Sequence, residues 1–246
     1  KTALKELGFY DVYETAIGAD MGAMAEAEHY VHSVATGELP FLLTSCCPSW
    51  SMLAKKFFPE TMDKISNELT PMVATARVIK KEHPDASVVF IGPCASKKLE
   101  ASRRSVRSDV DFVITFEELT GMFEAKGILL DEIQAMDTMD DATAAGRGYG
   151  VAGGVASAIE GCIKEYYPDT EIHIEHAESL AECKKILMLA KAGKKTGCLI
   201  EGMACPGGCV AGAGTNIPIM KAAKELQTFK NTAEKKLPDK DIEEFH

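Results

Sequence analysis

Residues 196–209 have the sequence TGCLIEGMACPGGC, in which a short apolar run leads into two cysteines four positions apart. The apolar run, residues 196–200, predicts a buried β-strand. The glycines and the proline beyond it predict a tight turn, because glycine accepts backbone conformations that other residues avoid. Cys205 and Cys209 are therefore expected to lie together at the end of this strand.

Two further apolar runs lead into cysteines in the same way. Residues 41–44 precede Cys46 and Cys47, and residues 87–91 precede Cys94. Strands that alternate with helices form mostly parallel sheets, and ligands bind such sheets at the carboxyl ends of the strands. We therefore expect the three cysteine motifs to converge on one site.

The eight cysteines of the chain indicate metal or redox chemistry rather than disulfide bonds. Zinc sites more often use cysteine pairs at CxxC spacing, and the sequence contains no such pair. Four thiolates gathered from three strand ends favour a [4Fe–4S] cluster instead. Cys162, Cys183 and Cys198 lie outside the motifs, and we expect them to be small buried hydrophobic residues.

The rest of the chain alternates strand-like and helix-like patterns, which predicts an α/β fold. We expect two lobes, each a mostly parallel sheet flanked by helices, with the metal cluster in the cleft between them. The first lobe is assigned to residues 1–120, the second to 121–230 and a charged tail to 231–246. Further strands are predicted at 11–16, 111–115 and 171–176, and helices at 23–34, 50–58, 71–82, 116–125, 155–166 and 180–192.

The bulk composition excludes several classes of protein. The net charge of −10 argues against nonspecific nucleic-acid binding, which needs a basic surface. No apolar run approaches the roughly 20 residues that cross a bilayer, and the N-terminus has no signal-peptide pattern. We therefore expect no nucleic-acid or membrane partner and a cytoplasmic location. Residues 1–8 resemble the end of a helix and lack Met, so we expect a fragment of a longer chain.

Together the cysteine motifs resemble the three signatures of the [FeFe]-hydrogenase (iron-only hydrogenase) catalytic domain, TSCCPxW, PCxxKxxE and ExMACxGGCxxG. The resemblance extends to Ile17-Gly18-Ala19-Asp20 and to the glycines at 153 and 154, and it covers most of residues 8–216. The matching stretches occur in the same order and are TSCCPSW at 44–50, PCASKKLE at 93–100 and EGMACPGGCVAG at 201–212.

The resemblance implies a set of cluster ligands. Cys47, Cys94, Cys205 and Cys209 would bind the [4Fe–4S] half of the H-cluster. Cys209 would also bridge to a diiron subcluster that carries CO, cyanide and a dithiolate bridge. The insertion of that subcluster needs dedicated maturation machinery.

The resemblance also implies neighbours of the cofactor. Lys97 would hydrogen-bond a cyanide ligand through a charge-assisted contact. Met203 would form a soft apolar wall, and Pro93 and Gly153 would line the cofactor.

A proton path is implied as well. Cys46 would relay protons, because the pKa of a thiol, about 8.5 when unperturbed, is readily tuned by its surroundings. Beyond it the family uses a Glu, a Ser and a second Glu, and the matching positions are Glu26, Ser66 and His29. Glu26 and His29 lie three apart and would share one face of a helix. Histidine can relay protons near neutral pH.

Several positions depart from the family pattern. Gly92 stands where Met is usual, Met72 where a polar residue is common, and GAGTN at 212–216 where the family continues GGGQP. The sequence from Lys1 onward contains no counterpart of the family's N-terminal segment and no ferredoxin-like cysteine repeats. These departures indicate a compact, divergent branch.

Three functions are open at this point. The first is an enzyme that interconverts protons plus electrons and H2 with a ferredoxin-like electron carrier, in an anaerobic cytoplasm. The second is a hydrogen-sensing module with slow turnover, read by a signalling domain or partner. The third is a hydrogenase-like iron–sulfur assembly protein without a diiron site. Cys46 and the Gly207-Gly208 pair favour the first two over the third, and Cys46 favours turnover.

Overall fold

Two parallel sheets and the helices around them make up residues 1–242, the part of the chain that this computed structural model describes. Helix α1 ends at Gly8, whose φ of 113° is left-handed, so the helix end predicted within residues 1–8 is confirmed.

Residues 30–34 continue α2 as one π-helical turn, and short 3-10 turns join several elements. In chain order the helices and strands are α1 (Thr2–Leu7), α2 (Ala16–His29), β1 (Phe41–Leu43), α3 (Pro48–Phe57), α4 (Pro71–Glu82), β2 (Val89–Ile91), α5 (Ser96–Ala101), β3 (Phe112–Ile114), α6 (Phe116–Lys126), α7 (Ala144–Arg147), α8 (Gly154–Tyr166), β4 (His173–Glu178), α9 (Ser179–Lys191), β5 (Cys198–Met203) and α10 (Ile219–Lys230).

Every strand pair in these sheets is parallel. The larger sheet has the order β1-β5-β4, and the smaller one pairs β2 with β3. All six residues of β5 are buried, as expected of a central strand covered by helices on both faces. The predicted α/β fold with parallel sheets flanked by helices is confirmed.

The position of β1 differs from the predicted lobes. Phe41 pairs with Cys198 across the β1–β5 ladder, so the strand of the first cysteine motif lies in the sheet of the C-terminal half. The expectation that β1 belongs to the sheet of residues 1–120 is therefore wrong. A short strand buried on both faces can join any parallel sheet through a crossover, and its sequence does not specify the partner. The lobe boundary at residue 120 stays a prediction.

The strand predicted at residues 11–16 is also wrong. This segment is irregular and leads directly into α2, which begins at Ala16 rather than at residue 23. The carboxylate of Glu14 binds the guanidinium of Arg147 through two hydrogen bonds of 2.6 and 2.8 Å, which tie the segment to α7 rather than to a strand. The glycine at 18 obscured the helix start in the sequence, since glycine weakens helices.

The chain beyond residue 216 contains one element that was not predicted, helix α10. Part of the expected tail is bound to the rest of the fold: the carbonyls of Lys235 and Lys236 accept the N–H groups of Ala144 and Ala145. Residues 243–246 of that tail lie outside the described part. Within residues 1–242, no helix is long and apolar enough to cross a membrane.

Helix α2 is the centre of the fold. Its neighbours are α4, α7 and α8, and almost all of its residues between Gly18 and Ala27 are buried. Gly18 allows the close approach of α4, because a Cβ atom there would lie 2.3 Å from the carbonyl oxygen of Pro71. The carboxylate of Asp20 accepts three hydrogen bonds, from the N–H and hydroxyl of Thr143 and the N–H of Gly146. These contacts explain why the 17–20 stretch has a glycine at 18 and an aspartate at 20.

Candidate metal centre

Each of the three cysteine motifs follows the end of a strand, as predicted. Cys47 is the N-cap residue of α3, just beyond β1, and Cys94 lies between β2 and α5. Cys205 and Cys209 follow β5, which is the neighbour of β1 in the larger sheet. The strands predicted at 41–44, 87–91 and 196–200 are confirmed, with ends that differ by a few residues.

The thiols of these motifs are close enough to interact electrostatically. Burial first, and then the charges of Cys47 and Cys94, raise the pKa of Cys209 to about 12, while Lys97 opposes them. The pKa of Cys205 is also raised, first by burial and then by Cys47 and Cys94. Thiolates gathered in a desolvated site need cationic compensation, which metal ions supply. The donor set therefore fits an iron–sulfur cluster.

The spacing of these donors suits a cluster better than a single ion. All eight cysteines are free thiols. Within residues 1–242, no three His, Cys, Asp or Glu side chains converge closely enough to hold one metal ion. A [4Fe–4S] cluster binds each of its four cysteines through a different iron, so its ligands surround a larger volume.

The glycines of the third motif are required by the backbone. Gly207 and Gly208 have φ angles of 91° and 92°, which favour glycine. A Cβ atom at Gly208 would lie 2.5 Å from the backbone nitrogen of Ala152, and one at Gly212 would lie 2.3 Å from the carbonyl oxygen of Pro93. The loop that carries Cys209 is thus packed against both the α8 entry and the second motif.

A cavity of about 1090 Å³ opens beside these cysteines. Its wall is largely apolar and comes from the N-terminal segment, α4, β2, α6 and α10. The predicted site residues that line it are Cys46, Cys47, Pro93, Lys97, Met203 and Cys209.

Lys97 is held at the wall of this cavity by a buried carboxylate. Its Nζ lies 2.7 Å from Glu100 Oε2 and 3.4 Å from the carbonyl oxygen of Cys46. Glu100 also accepts the hydroxyl of Thr70 at 2.8 Å. The buried ammonium is therefore paired and fixed in place, and it can present its one remaining hydrogen to an anionic ligand.

At Gly92 a neighbouring aromatic ring occupies the space that a side chain would fill. The ring of Phe90 lies 2.8 Å from the position that a Cβ atom at Gly92 would occupy. Both residues line the cavity. The apolar wall expected from a methionine at this position is thus supplied by the Phe90 ring.

Cys46 and Glu26 are electrostatic neighbours. The pKa of the Cys46 thiol is raised well above its usual value, first by burial and then by the charge of Glu26. Glu26 is buried, and its Oε1 accepts the N–H and the hydroxyl of Ser45 at 3.1 and 3.2 Å. Burial raises the pKa of Glu26 to about 7, while hydrogen bonds from Ser45 and Ser66 act in the opposite direction.

His29 lies one turn beyond Glu26 and is half-buried. Burial lowers its pKa, and Glu38 opposes this effect. The buried Ser66 lies beside the Glu26 carboxyl. Cys46 therefore lies at the cavity wall, Glu26 and Ser66 are buried next to each other, and His29 lies at the end of α2. Their roles in a proton path stay predictions.

A family model matches most of the chain. The model of the family "Iron only hydrogenase large subunit, C-terminal domain" matches residues 1–213. The chain belongs to the iron-only hydrogenase large-subunit family.

The curated relatives carry more than one function. Iron hydrogenase 1 of Clostridium pasteurianum is 30% identical over 87% of this chain and 44% of that protein. The periplasmic iron hydrogenase large subunit of Nitratidesulfovibrio vulgaris is 28% identical over 91% of this chain and 63% of that protein. The chain thus spans less than two thirds of these relatives. Cytosolic iron-sulfur assembly component 3 of Bos taurus is 24% identical over 91% of this chain and 58% of that protein. These matches imply an iron–sulfur cofactor and do not by themselves decide the reaction.

Solved structures confirm the fold. A variant of the [FeFe]-hydrogenase HydA1 from Chlamydomonas reinhardtii superposes with a TM-score of 0.77, at 22% identity, over 95% of this chain and 78% of that chain. The likeness at this identity concerns the fold, which is that of the hydrogenase domain.

In this hydrogenase-family domain the Glu of the third motif has a role that the sequence did not reveal. Glu201 is buried, and its carboxylate accepts the N–H groups of Gly153 and Ala156 at the start of α8. Gly153 donates its N–H to this carboxylate, and its predicted place beside the cofactor stays a prediction. His176 Nδ1 lies 3.4 Å from Glu201 Oε2, and Glu201 raises the pKa of His176.

Two further buried residues beside the site were not singled out from the sequence. Glu100 orients Lys97, and its position three residues after a lysine in a helix was the available signal. Tyr149 lines the cavity with its hydroxyl buried, and nothing in the sequence distinguishes it from an ordinary core aromatic residue.

Proposed function

We propose that this chain is the H-cluster domain of a hydrogenase that interconverts protons plus electrons and H2. The observation that carries the proposal is the single cavity in which Cys46, Lys97, Met203 and Cys209 meet. A cluster ligand, an anion-binding ammonium, an apolar wall and a thiol outside the ligand set are the groups that proton reduction at a cyanide-bearing metal site needs.

Four cysteines would hold the cofactor. In this proposal Cys47, Cys94, Cys205 and Cys209 would hold an H-cluster, a [4Fe–4S] cluster together with a diiron subcluster that carries CO, cyanide and a dithiolate. When bound, this H-cluster supplies the redox centre and the site of hydrogen chemistry. The mutual effect of the thiols on one another's pKa supports this set.

The groups around the cofactor orient it and exclude water. The Lys97 ammonium, fixed by Glu100, would donate to a cyanide ligand. Met203 is buried and Pro93 lies along the same wall, so both would keep water from the diiron side. Gly153 shapes this wall indirectly, since its N–H binds Glu201.

Proton transfer would begin at Cys46. Its Sγ holds a proton in the resting state, because burial and Glu26 raise the pKa of the thiol. Glu26, with a pKa of about 7, can accept and release a proton near neutral pH, which is the property that efficient acid–base catalysts share. Ser66 and His29 would continue the path toward the end of α2.

Electrons would come from a one-electron iron–sulfur carrier such as ferredoxin. The expected anaerobic cytoplasm belongs to the same proposal, and the eight free thiols suit a reducing compartment.

The matches to iron–sulfur assembly proteins favour a second candidate, a protein that binds a cluster but has no diiron site. Cys46 and the cavity beside Cys209 have no evident use in such a protein. A hydrogen-sensing domain would retain the same groups and differ in its rate of turnover.

Loading the protein with a synthetic diiron cofactor tests the proposal. We expect infrared bands from CO and cyanide, together with hydrogen output from a chemical reductant. Bands with negligible hydrogen output would instead indicate a sensor. The absence of bands after loading would overturn the hydrogenase proposal and favour the assembly protein.

A further inference from the structure

The end of strand β4 lies beside the segment that joins Cys205 to Cys209, which we call the cluster loop (residues 205–209). His176 and Glu178 are two positions apart on β4, so their side chains leave the strand on the same face. Strand β4 is at the edge of the larger sheet, and both side chains are largely exposed. Nevertheless, each of them is connected to the cluster loop by measured contacts.

Glu178 contacts the cluster loop directly. Its Oε2 accepts the N–H of Gly207 at 2.8 Å. The N–H groups of glycine-rich turns commonly point toward bound anions or iron–sulfur clusters. Here one such N–H is instead bonded to a carboxylate of the protein, which also places a negative charge beside the proposed cluster site.

The backbone after Glu178 has an uncommon conformation. Ser179 has a φ of 76°, and it is the only non-glycine residue among residues 1–242 in the left-handed region. Such a conformation costs free energy and persists where the surrounding contacts enforce it. The chain therefore bends sharply at the residue that follows the contact with the cluster loop.

His176 is connected to the same loop through the buried carboxylate of Glu201. The two residues are partners in the parallel β4–β5 ladder, and His176 Nδ1 lies 3.4 Å from Glu201 Oε2. Glu201 raises the pKa of His176 against the opposing effect of burial, so this contact favours the imidazolium form. On its other side the carboxylate accepts the N–H groups of Gly153 and Ala156 at 3.0 and 3.1 Å, where a helix start favours negative charge.

The residues before α8 carry this contact to the cluster loop. The N–H of Ala152 donates to the carbonyl oxygen of Gly207 at 3.1 Å. The two segments are closely packed, because a Cβ atom at Gly208 would lie 2.5 Å from the backbone nitrogen of Ala152. Gly207 is therefore bound at its N–H by Glu178 and at its carbonyl oxygen by the segment that Glu201 holds.

We propose that His176 and Glu178 are positioning residues of the metal centre, which hold Gly207 from both sides and so fix the cluster loop. Glu178 acts directly, and His176 acts through Glu201 and the start of α8. The description of residues 205–209 as a cluster loop rests on the proposed function. The contacts themselves do not depend on hydrogen chemistry.

Hydrogen exchange of the backbone N–H groups tests the proposal in the protein that carries its iron–sulfur cluster and no diiron subcluster. Exchange is followed in residues 152–156 and in the cluster loop. Glu178→Ala should speed exchange in the cluster loop by roughly fivefold, which corresponds to the loss of about one hydrogen bond. His176→Ala should speed exchange in both stretches, because it removes the solvent-side partner of Glu201.

Two further variants at His176 and His173 control for general loosening of β4. His176→Asn keeps an N–H donor near the position of Nδ1 and should restore slow exchange. His173→Ala is the matched control, since its exposed ring lies on the same strand and pairs with the exposed Glu171 at 3.7 Å. It should leave exchange in both stretches unchanged.

The reduction potential of the cluster gives a second readout that a merely structural contact would not move. Glu178→Gln keeps an acceptor for the N–H of Gly207 and removes the negative charge. It should leave exchange in the cluster loop slow and raise the reduction potential, because nearby negative charge disfavours the reduced cluster. His173→Ala should leave the potential unchanged. Iron content is measured in each variant so that potentials are compared at equal cluster occupancy.

The outcomes separate this proposal from the proposed function. Exchange that is unchanged in both His176→Ala and Glu178→Ala would overturn the positioning role, as would an equal acceleration in His173→Ala. Exchange as fast in His176→Asn as in His176→Ala would overturn the link from His176 to Glu201. The expected exchange pattern, without CO and cyanide bands after diiron loading, would keep the two positioning residues and reject the hydrogenase.

Discussion

The indole of Trp50 lies directly on the backbone of Gly202, where a Cβ atom would fall 2.1 Å from the ring. Trp50 is fully buried, and its Nε1 donates to the carbonyl oxygen of Thr44 at 3.0 Å. Trp50 belongs to the first cysteine motif and Gly202 to the third. This contact therefore sets how closely the loops of Cys47 and Cys205 approach each other.

Gly202→Ala should destabilise the protein by about 2–3 kcal/mol, because the buried ring has no space into which it can move. The measurement is the free energy of unfolding in urea. Gly121→Ala is the matched control, since nothing lies within 4 Å of its Cβ position, and it should be neutral or slightly stabilising. Equal denaturation midpoints for Gly202→Ala and the wild type would contradict the contact.

Cys205→Ser should remove most of the bound iron and the visible absorption of the cluster, because a hydroxyl is a poor ligand for iron–sulfur clusters. The comparison is with Cys162→Ala. Cys162 is fully buried in α8, and its pKa is raised by burial and by Asp20 rather than by any of the four proposed ligands. Iron analysis of both purified variants decides the matter, and equal iron loss in the two would argue against the ligand set.

Cys46→Ala should retain the iron–sulfur absorption and lose hydrogen output by about 100-fold or more, which is the range of general acid–base catalysis. The thiol lines the cavity but is not one of the proposed ligands. Hydrogen output is measured after loading with the diiron cofactor, at matched cofactor occupancy by infrared spectroscopy. Undiminished output would remove Cys46 from the proton path.

The raised pKa of Glu26 predicts that the free energy of unfolding depends on pH in a specific way. Its pKa rises from 4.5 to about 7 on folding, so the folded protein binds a proton that the unfolded chain releases. The contribution of Glu26 to stability therefore falls as the pH rises through this window, by about 3 kcal/mol in total. Glu26→Gln should flatten this part of the curve of unfolding free energy against pH. A curve parallel to that of the wild type would show that Glu26 ionises normally.

Arg147 and Glu14 form a buried ion pair whose side chains are 1% and 3% exposed. Arg147→Met should destabilise the protein by about 3–5 kcal/mol, because it leaves the Glu14 carboxylate buried without its partner. The double variant that also carries Glu14→Leu should recover much of this loss. Chemical denaturation of the single and double variants measures both effects, and a single variant as stable as the wild type would refute the pairing.

Local elements were predictable where the sequence contains its own boundaries. Helix α4 has exactly the predicted limits, because Pro71 fits the first helical position and the residue before a proline avoids the helical conformation. Helix α6 begins as predicted at a capping box formed by Thr115 and Glu118. In contrast, residues 11–16 have a strand-like pattern, yet the buried Glu14–Arg147 pair holds them in an irregular path.

The site was predictable to the extent that it depends on short motifs. Glycine and cysteine spacing indicated a thiolate site, and the Lys97–Glu100 spacing allowed the ion pair that forms. The contacts of Glu201 with the start of α8, and of Tyr149 with the surroundings of Gly22, connect segments far apart in the chain. Such contacts are determined by packing, which local patterns do not encode.

The parallel pairing of Phe41 with Cys198 has a consequence for biosynthesis. These partners are separated by 157 residues, and contacts of such long sequence separation form slowly during folding. A nascent chain on the ribosome has already released the first cysteine motif while the third is still untranslated. The four proposed ligands can meet only after Cys209 has been synthesised, so a complete cluster site cannot form on the first half of the chain alone.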